Sequence, residues 1–228
     1  MSGNTSATAT VALVPLNAAT LAKTRLRTVL HDAERRELAR WLAARVLGAI
    51  AASHAVAAVA VVSPDVEVLE WARGLGAVPL LQREGGLNDG LELGRSWAVR
   101  EGAEALLVVL GDLPLLRPGE INAMVTLGQD ATSQRIAVLA PDREEHGTNA
   151  LLLRPVTLAP FAFGEGSFQR HRELIRAAGA ELKIYRSLGT GFDVDMPADL
   201  AELRARHVWP EVVSADERRE CECERNAS

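Results

Sequence analysis

Two segments place carboxylates where a metal-dependent reaction would need them. Asp112 lies in the segment GDLP, directly after the apolar run ALLVVL of residues 105–110, and Asp193 and Asp195 alternate in the extended segment FDVDMP of residues 192–197. Mg²⁺ prefers one or two such carboxylates together with phosphate oxygens. The pattern therefore makes Asp112 one candidate for holding Mg²⁺, and Asp193 with Asp195 another. The alternatives are a plain strand-ending turn at Asp112 and a helix N-cap at Asp195, which precedes Pro197.

A basic pair follows the first apolar run of the chain. Residues 15–26 read PLNAATLAKTRL, which places Lys23 and Arg25 just before or at the start of a helix. A Lys with an Arg two residues further on, close to helix N-terminal amides, suits the phosphates of a nucleoside triphosphate. A solvated basic pair is the alternative interpretation of this segment alone.

An alternation of strands and helices must position these residues. Short apolar runs alternate with longer segments of helical periodicity, which is typical of parallel strands connected by helices. Open sheets of this kind bind ligands beyond the carboxyl ends of their strands, and the segments described above follow such strands. Predicted strands cover 10–16, 55–63, 78–81, 105–110, 136–140, 150–153 and 182–186, with a turn at 147–149. Predicted helices are one capped by Asp32, one capped by Asp65 and ending near 75, and those at 91–100, 118–127 and 169–178.

Composition limits the kind of protein. The chain has 228 residues, 48% of them hydrophobic and 24% charged, which suits one domain with one sizeable core. The net charge of -5 without a Lys/Arg stripe argues against nucleic acid as the main partner. The N-terminus lacks a secretory signal and no apolar run is long enough for a membrane span, so we expect no membrane partner and a cytoplasmic protein. Cys221 and Cys223 lie in a charged run and make a poor zinc site, so any metal is expected on carboxylates.

Six motifs, in order along the chain, resemble one enzyme family. They are AKTRL of 22–26, GLN of 86–88, GDLPLL of 111–116, GTNAL of 147–151, FGEGSF of 163–168 with His171 beyond it, and DVDMPADL of 193–200. Over about residues 10–205 they resemble the 2-phospholactate/phosphoenolpyruvate guanylyltransferases of deazaflavin coenzyme (coenzyme F-420) biosynthesis. The specific part is FGEGSF downstream of GTNAL, because GDLP and DVDxP recur across related nucleotidyltransferases.

The resemblance implies a fold and an activity. The fold would be a single-domain, Rossmann-like α/β nucleotidyltransferase fold with a mostly parallel central sheet flanked by helices, over residues 10–210, with disordered segments at 1–9 and 211–228. The activity would transfer GMP from GTP to the phosphate of phosphoenolpyruvate or 2-phospho-L-lactate and release pyrophosphate, with Mg²⁺ as cofactor. The same chemistry on 3-phosphoglycerate is the alternative. GTP and a small phosphorylated acid are thus the implied partners, and a homodimer is left open.

The resemblance also implies roles for individual residues. Lys23 and Arg25 would hold the GTP phosphates and, with Asp112, form the catalytic set, while Asp112, Asp195 and less surely Asp193 would hold Mg²⁺. The implied nucleotide and acceptor contacts lie in three loops and are Gly86, Asn88, Thr148, Gly164 and Ser167.

Two residues, Asn17 and His171, do not take a role directly from the family resemblance. Asn17 stands where relatives commonly have a Lys, which predicts weaker nucleotide binding unless another basic residue such as Arg83 substitutes. His171, one helical turn beyond Ser167, could meet the carboxylate of the acid, but a partly buried surface histidine is the expectation, and it is left out of the catalytic set.

Three other functions remain open at the level of sequence. A sister nucleotidyltransferase acting on molybdopterin or a sugar phosphate shares GDLP and DVDxP, although FGEGSF favours a small phospho-acid. A glycosyltransferase could use Asp193 and Asp195 as a D-x-D metal site, although Lys23 and Arg25 favour a free triphosphate. A non-catalytic nucleotide-binding module would be excluded by Mg²⁺-dependent pyrophosphate release.

Overall fold

The structure is a computed structural model that describes residues 9–16, 23–130 and 133–208. Asn17 and the cysteines at 221 and 223 lie outside the described residues, as do the predicted terminal segments apart from Ala9. Within the described ranges, none of the helices combines the length and the apolar character needed to cross a membrane.

Seven strands form one twisted sheet in the order β3-β2-β1-β4-β6-β5-β7. All neighbouring strands are parallel except that β6 runs antiparallel to both β4 and β5. The mostly parallel α/β sheet predicted from the sequence is therefore confirmed. The strands are β1 (Thr10–Pro15), β2 (Ala58–Ser63), β3 (Val78–Leu81), β4 (Ala105–Val109), β5 (Ile136–Pro141), β6 (Thr148–Arg154) and β7 (Glu181–Ile184).

Helices connect the strands and cover both faces of the sheet. A short 3-10 turn, Thr24–Leu26, follows β1 and precedes the first long helix. The α-helices are α1 (Asp32–Ala51), α2 (Val66–Gly74), α3 (Leu87–Arg100), α4 (Pro118–Gln129), α5 (Ser167–Ala177), α6 (Leu188–Gly191) and α7 (Pro197–Ala205).

The alternation of side chains along β1 separates two apolar layers. Ala12 and Val14 face a cluster with α1, α2 and α4, whereas Val11 and Leu13 face a cluster with α3 and α5. The central strands are covered on both faces, which is why they are continuously apolar, whereas the edge strands β3 and β7 are only partly buried. Helix α3 packs unusually close to β1, since a Cβ added at Gly94 would overlap the Leu13 side chain. The sheet is thus a rigid base for the loops at its edge.

Among the predicted boundaries that differ from the structure, three have a clear local reason. Helix α3 begins at Leu87 and not at residue 91, because Gly86 caps it and its N–H donates to Asp89 Oδ2 at 2.7 Å. Helix α1 begins at Asp32 itself, and the preceding His31 donates its N–H to Glu34 Oε2 at 2.6 Å. Thr148 and Asn149 were expected in a turn but belong to β6, because Thr148 pairs with Pro141 of β5. The predicted cap at Asp65 is confirmed by its bonds from the N–H groups of Glu67 and Val68.

Candidate active site

Four chain segments converge at one edge of the sheet. Neighbouring strands β1 and β4 run parallel, so the chain leaves both of them at the same edge. Because β6 runs antiparallel to β4, its first residue, Thr148, lies at that edge as well. The segment around residues 193–195 is joined to the end of β4 by the bond from Val194 N–H to Asp112 O, 3.3 Å long. The topology therefore gathers residues that are up to 172 positions apart in sequence.

Lys23 lies between two of the predicted metal-binding aspartates. Its Nζ donates to Asp112 Oδ2 at 2.8 Å and to Asp195 Oδ1 at 2.9 Å. The ammonium is almost fully buried, with 3% of the side chain exposed. Burial alone would lower the pKa of Lys23, but attraction from Asp112 and then Asp195 outweighs it and raises that pKa. Lys23 is therefore a charged component of the site, and the solvated alternative is wrong for this residue.

The backbone holds Lys23 in place in a conformation that L-residues seldom adopt. Lys23 has φ 40° and ψ 49°, in the left-handed region, at the start of the 3-10 turn. The turn is anchored by Leu26, whose side chain is fully buried among residues of α1 and α7. The Arg25 side chain, in contrast, is 68% exposed. Its guanidinium lies 3.6 Å from Asp195 Oδ2, which is longer than both Lys23 contacts. The two basic residues thus differ: Lys23 is fixed within the site and Arg25 is exposed at its rim.

Asp195 is not the N-cap of the helix that follows it. Met196 occupies that position, and Asp199 reaches back to accept the N–H groups of Asp195 and Met196 at 3.1 and 2.7 Å. Because Asp199 satisfies these donors, the carboxylate of Asp195 is left to bind Lys23 and Arg25. The capping interpretation of Asp195 is therefore wrong, and its side chain faces the site.

The carboxylates have the properties of a cation site. Asp112 Oδ1 is buried and has no hydrogen-bond partner among the described residues, so one oxygen is left for a cation. Asp193 is held by the amide of Asn149, Nδ2 to Oδ1 at 3.4 Å. Burial, followed by repulsion from Asp112 and Asp195, raises the pKa of Asp193 to about 6. Within the described chain, no three His, Cys, Asp or Glu side chains are arranged as a complete metal-ligand set. Two aspartates with phosphate oxygens and water would suffice for Mg²⁺.

A cleft of about 470 Å³ opens beside these aspartates. Its walls contain all three residues implied to bind the acceptor, Thr148, Gly164 and Ser167. Arg25, Asp193 and Asp195 line the same cleft. The structure thus brings the implied acceptor residues next to the Lys23 and aspartate cluster.

The FGEGSF segment shapes one wall of this cleft. Gly164 has φ +117°, which strains any residue with a side chain, and Ser167 is the first residue of α5. The N–H groups of Ser167 and Phe168 already donate to Gly164 O at 3.1 Å and to His146 O at 3.2 Å. These two amides are therefore occupied within the protein, although they lie at the start of a helix.

His171 is deeply buried and bonded through both ring nitrogens. It is 1% exposed, so the expectation of a partly buried surface histidine was wrong. Ala162 donates its N–H to Nε2 at 3.0 Å, and Nδ1 lies 3.0 Å from Thr148 Oγ1. Burial, with repulsion from Arg170, lowers the pKa of His171 to about 4. His171 is thus neutral at physiological pH and occupied by protein partners.

Gly86 and Asn88 lie at the start of α3, where Asn88 contacts the FGEGSF segment. The Asn88 amide exchanges two hydrogen bonds with the backbone of Phe163, at 2.9 Å from the Phe163 N–H and at 3.2 Å to its carbonyl. Asn88 therefore links the two loops, and the implied nucleotide contact by Gly86 and Asn88 stays a prediction.

Two residues at the site were not found from the sequence. Asn149 donates to Thr190 O at 3.0 Å and to Asp193, which orients the 193–195 segment. Asp142 lines the cleft and accepts the N–H groups of His146 and Gly147 at 2.8 and 2.6 Å, which fixes the turn before β6. Asn149 is part of the GTNAL motif, but it was expected in a turn, so its burial within a strand was not predicted.

Members of one enzyme family are similar to this chain over most of its length. The family described as "Guanylyl transferase CofC like" matches residues 10–207. A phosphoenolpyruvate guanylyltransferase from Sphaerobacter thermophilus is 49% identical over 208 residues, which cover 91% of this chain and 98% of that protein. A 2-phospho-L-lactate guanylyltransferase from Methanothermobacter thermautotrophicus is 33% identical over 85% of this chain and 83% of its own length.

The solved structures support the fold. A nucleotidyl transferase, also from Methanothermobacter, superposes with a TM-score of 0.63 at 15% identity and covers 87% of this chain and 97% of that one. At such low identity the likeness concerns the fold alone, and it confirms the Rossmann-like nucleotidyltransferase architecture. The extent of the family match and the identity to its curated members together show that the chain belongs to the CofC-like guanylyl transferase family.

Proposed function

We propose that this protein transfers the guanylyl group of GTP to the phosphate of a small phosphorylated carboxylic acid, with phosphoenolpyruvate as the preferred acceptor. One observation supports it above the others: the Lys23, Asp112 and Asp195 cluster borders a cleft that is lined by Thr148, Gly164 and Ser167. A charged cluster for the triphosphate and a polar wall for a second phosphate thus lie side by side. Membership of the family and the name of the 49% identical relative support the same activity.

The reaction that fits this site is an in-line substitution. An oxygen of the acceptor's phosphate forms a bond to the α-phosphorus of GTP, the bond from that phosphorus to the bridging oxygen breaks, and pyrophosphate leaves with the electron pair. The attacking oxygen is already an anion at neutral pH, so no general base is required. This agrees with the buried histidine of the site, because both nitrogens of His171 are engaged by the protein. Catalysis then depends on positioning and charge neutralisation.

Different residues of the chain would supply the positioning and the charge neutralisation. Arg25, exposed at the rim, is placed to bind the triphosphate, and Lys23 supplies a buried positive charge near the reacting phosphates. Asp112 and Asp195 would hold Mg²⁺, with Asp193 beside them, and the unpartnered Asp112 Oδ1 fits that role. A bound Mg²⁺ would supply Lewis-acid charge stabilisation on the transferring phosphoryl group. Lys23 bonds Asp112 Oδ2 and Asp195 Oδ1, so it would share these two carboxylates with a bound Mg²⁺.

The choice of acceptor depends on small differences. Phosphoenolpyruvate, 2-phospholactate and 3-phosphoglycerate all present a phosphate and a carboxylate, and a pocket without a dedicated polar partner separates them by only about 1–3 kcal/mol. Gly164 contributes no side chain that would seek the extra hydroxyl of 3-phosphoglycerate. We therefore rank phosphoenolpyruvate first, 2-phospholactate second and 3-phosphoglycerate third. The product, a guanosine diphosphate ester of the acid, places the enzyme in coenzyme F-420 biosynthesis.

The start of α3 and the loop before it are the proposed contacts to the nucleotide. Gly86 and Asn88 are proposed to face the nucleotide, with the Asn88 amide acting mainly through the Phe163 backbone that it holds. Guanine is preferred in the proposal because the family's curated members are named as guanylyltransferases.

Pyrophosphate release tests the proposal directly. The wild-type protein is incubated with Mg²⁺, each of the four nucleoside triphosphates and each of the three phospho-acids. We expect release that requires an acid and is fastest with GTP. Competition of the three acids at limiting GTP, with the products resolved by mass, then tests the ranking, and a majority of 3-phosphoglycerate product would contradict it. An absence of pyrophosphate with all four triphosphates, together with release of a nucleoside diphosphate from an added nucleotide sugar, would instead indicate a glycosyltransferase.

A further inference from the structure

The Thr148 hydroxyl and the His171 imidazole form a buried pair at the wall of the cleft. Thr148 is 2% exposed and His171 is 1% exposed, and Oγ1 and Nδ1 are 3.0 Å apart. Either atom of such a pair could in principle be the donor. Which one donates decides what the Thr148 hydroxyl can offer to a ligand in the cleft.

The position of the imidazole proton follows from the third partner. The backbone N–H of Ala162 points at Nε2 from 3.0 Å, and an N–H can only donate, so Nε2 must be the unprotonated nitrogen. The neutral ring therefore has its proton on Nδ1. Nδ1–H donates to Thr148 Oγ1, the Ser167 backbone also interacts with the ring, and the pKa of about 4 keeps the ring in this neutral form. The remaining hydroxyl proton of Thr148 is then directed away from His171.

The rest of the histidine's surroundings hold the ring in this orientation. Its Cα belongs to α5, one turn beyond Ser167, and the Phe163 ring packs edge-on against the imidazole with centroids 4.7 Å apart. Ala162 and Phe163 lead into Gly164, so the same imidazole ties the FGEGSF wall to the first residue of β6. A rotation of the ring would break both hydrogen bonds at once.

We propose that His171 is a positioning residue, which fixes the Thr148 hydroxyl as a hydrogen-bond donor to the phospho-acid bound in the cleft. The inference rests on the proposed function for the identity of that ligand. A donor of fixed direction favours a ligand that presents an acceptor oxygen at this place, such as a phosphate, over a cation. His171 thus acts on the acceptor through Thr148 without touching it.

Two substitutions separate the two hydrogen bonds of the ring. An asparagine amide nitrogen can lie near the Nδ1 position and donate to Thr148, so His171→Asn keeps this bond and loses the one to Ala162. A glutamine carbonyl can lie near the Nε2 position and accept from Ala162, so His171→Gln keeps that bond and loses the donor to Thr148. Ile175→Ala, at a buried position of the same helix, is the control for simple destabilisation of α5.

Steady-state kinetics with GTP, Mg²⁺ and phosphoenolpyruvate test the inference. We expect His171→Gln to raise the KM for phosphoenolpyruvate about 10-fold, the effect of losing one directed bond to a charged group. Its KM for GTP should change less than about 2-fold, since Thr148 does not face the triphosphate in this account. His171→Asn should recover most of the affinity for phosphoenolpyruvate, and Ile175→Ala should keep it while melting at a lower temperature. In a Thr148→Val background, His171→Gln should add almost nothing further.

Other results would overturn the inference. Equal increases in KM for His171→Asn and His171→Gln, or an increase that Ile175→Ala reproduces, would show that His171 only supports the fold. The ¹⁵N NMR shifts of the wild-type imidazole provide a measurement that needs no turnover, and a proton on Nε2 would refute the assigned hydrogen bonds. Absence of any guanylylated product from the wild type would instead overturn the proposed function, whatever the NMR result.

Discussion

Replacing Lys23 by methionine should destabilise the protein, because it leaves two aspartates without their shared partner. Methionine has a similar length and no charge. Asp112, whose side chain is 12% exposed, would lose its salt bridge and keep one oxygen that already has no partner. Removing one member of a buried ion pair costs about 3–5 kcal/mol. In a domain of this size that corresponds to a melting temperature roughly 10 °C lower.

Two variants serve as controls for this prediction. Lys23→Met combined with Asp112→Asn removes both the ammonium and the buried charge, so it should recover most of the lost stability. Lys183→Met removes a lysine that donates to Leu127 O at 3.1 Å and forms an ion pair with Glu181 across 3.7 Å, with both of these side chains more than a quarter exposed. Such a pair contributes at most about 1 kcal/mol, so this variant should melt within a few degrees of the wild type.

The measurement is thermal and urea unfolding at pH 7.5 in EDTA, repeated with Mg²⁺. Because a bound cation can take over the neutralising role of the ammonium, Mg²⁺ should stabilise Lys23→Met more than it stabilises the wild type. A melting temperature of Lys23→Met within about 2 °C of the wild type in EDTA would refute the assigned ion pair. A double variant less stable than Lys23→Met would refute the argument that unpaired charge causes the loss.

Three further predictions follow from single side chains. Arg25→Ala should raise the KM for GTP by roughly 10- to 100-fold, since it loses a charged hydrogen bond to phosphate, and steady-state kinetics should show no such change for the exposed neighbour Arg27→Ala. Gly164→Ala should destabilise the protein by about 1–3 kcal/mol in urea because alanine is strained at this positive φ, whereas Gly119→Ala, with open space around the added Cβ, should not. Because the pKa of His171 is about 4 when folded and about 6.5 when unfolded, the unfolded chain binds more protons, and stability is lost as pH falls through this window. At pH 5 the wild type should therefore have lost about 2 kcal/mol more, relative to pH 7.5, than His171→Asn, and equal pH profiles would contradict this.

The sequence predicted the sheet because strands that are covered on both faces must be apolar throughout. The apolar run at residues 105–110 and the neighbouring apolar runs predicted the mostly parallel sheet that the structure has. The motifs FGEGSF and GTNAL identified the family that the chain resembles. The residues that line the cleft and are implied to bind the acceptor could be named because each lies in a short motif. Their convergence also follows, since loops at one edge of a sheet meet.

Contacts between distant segments could not be predicted from the sequence. Nothing in the local pattern shows that Lys23 bonds both Asp112 and Asp195, because these pairs are 89 and 172 residues apart. The role of Asp199 in freeing Asp195 from capping depends on backbone geometry at Met196. The burial of His171 depends on how α5 packs beside β6, which helical periodicity alone does not determine.

Mass analysis of the product made from phosphoenolpyruvate labelled with oxygen-18 in its phosphate tests the central claim most directly. The labelled acid is incubated with unlabelled GTP, Mg²⁺ and either the wild-type protein or the Asp112→Asn variant. If the acceptor's phosphate oxygen attacks the α-phosphorus, the guanylylated product retains every labelled oxygen and the pyrophosphate contains none. The Asp112→Asn variant, folded by circular dichroism, should form almost no product, because it lacks a carboxylate of the proposed metal site. Label in the pyrophosphate, no guanylylated product from the wild type, or wild-type turnover by Asp112→Asn would contradict the account.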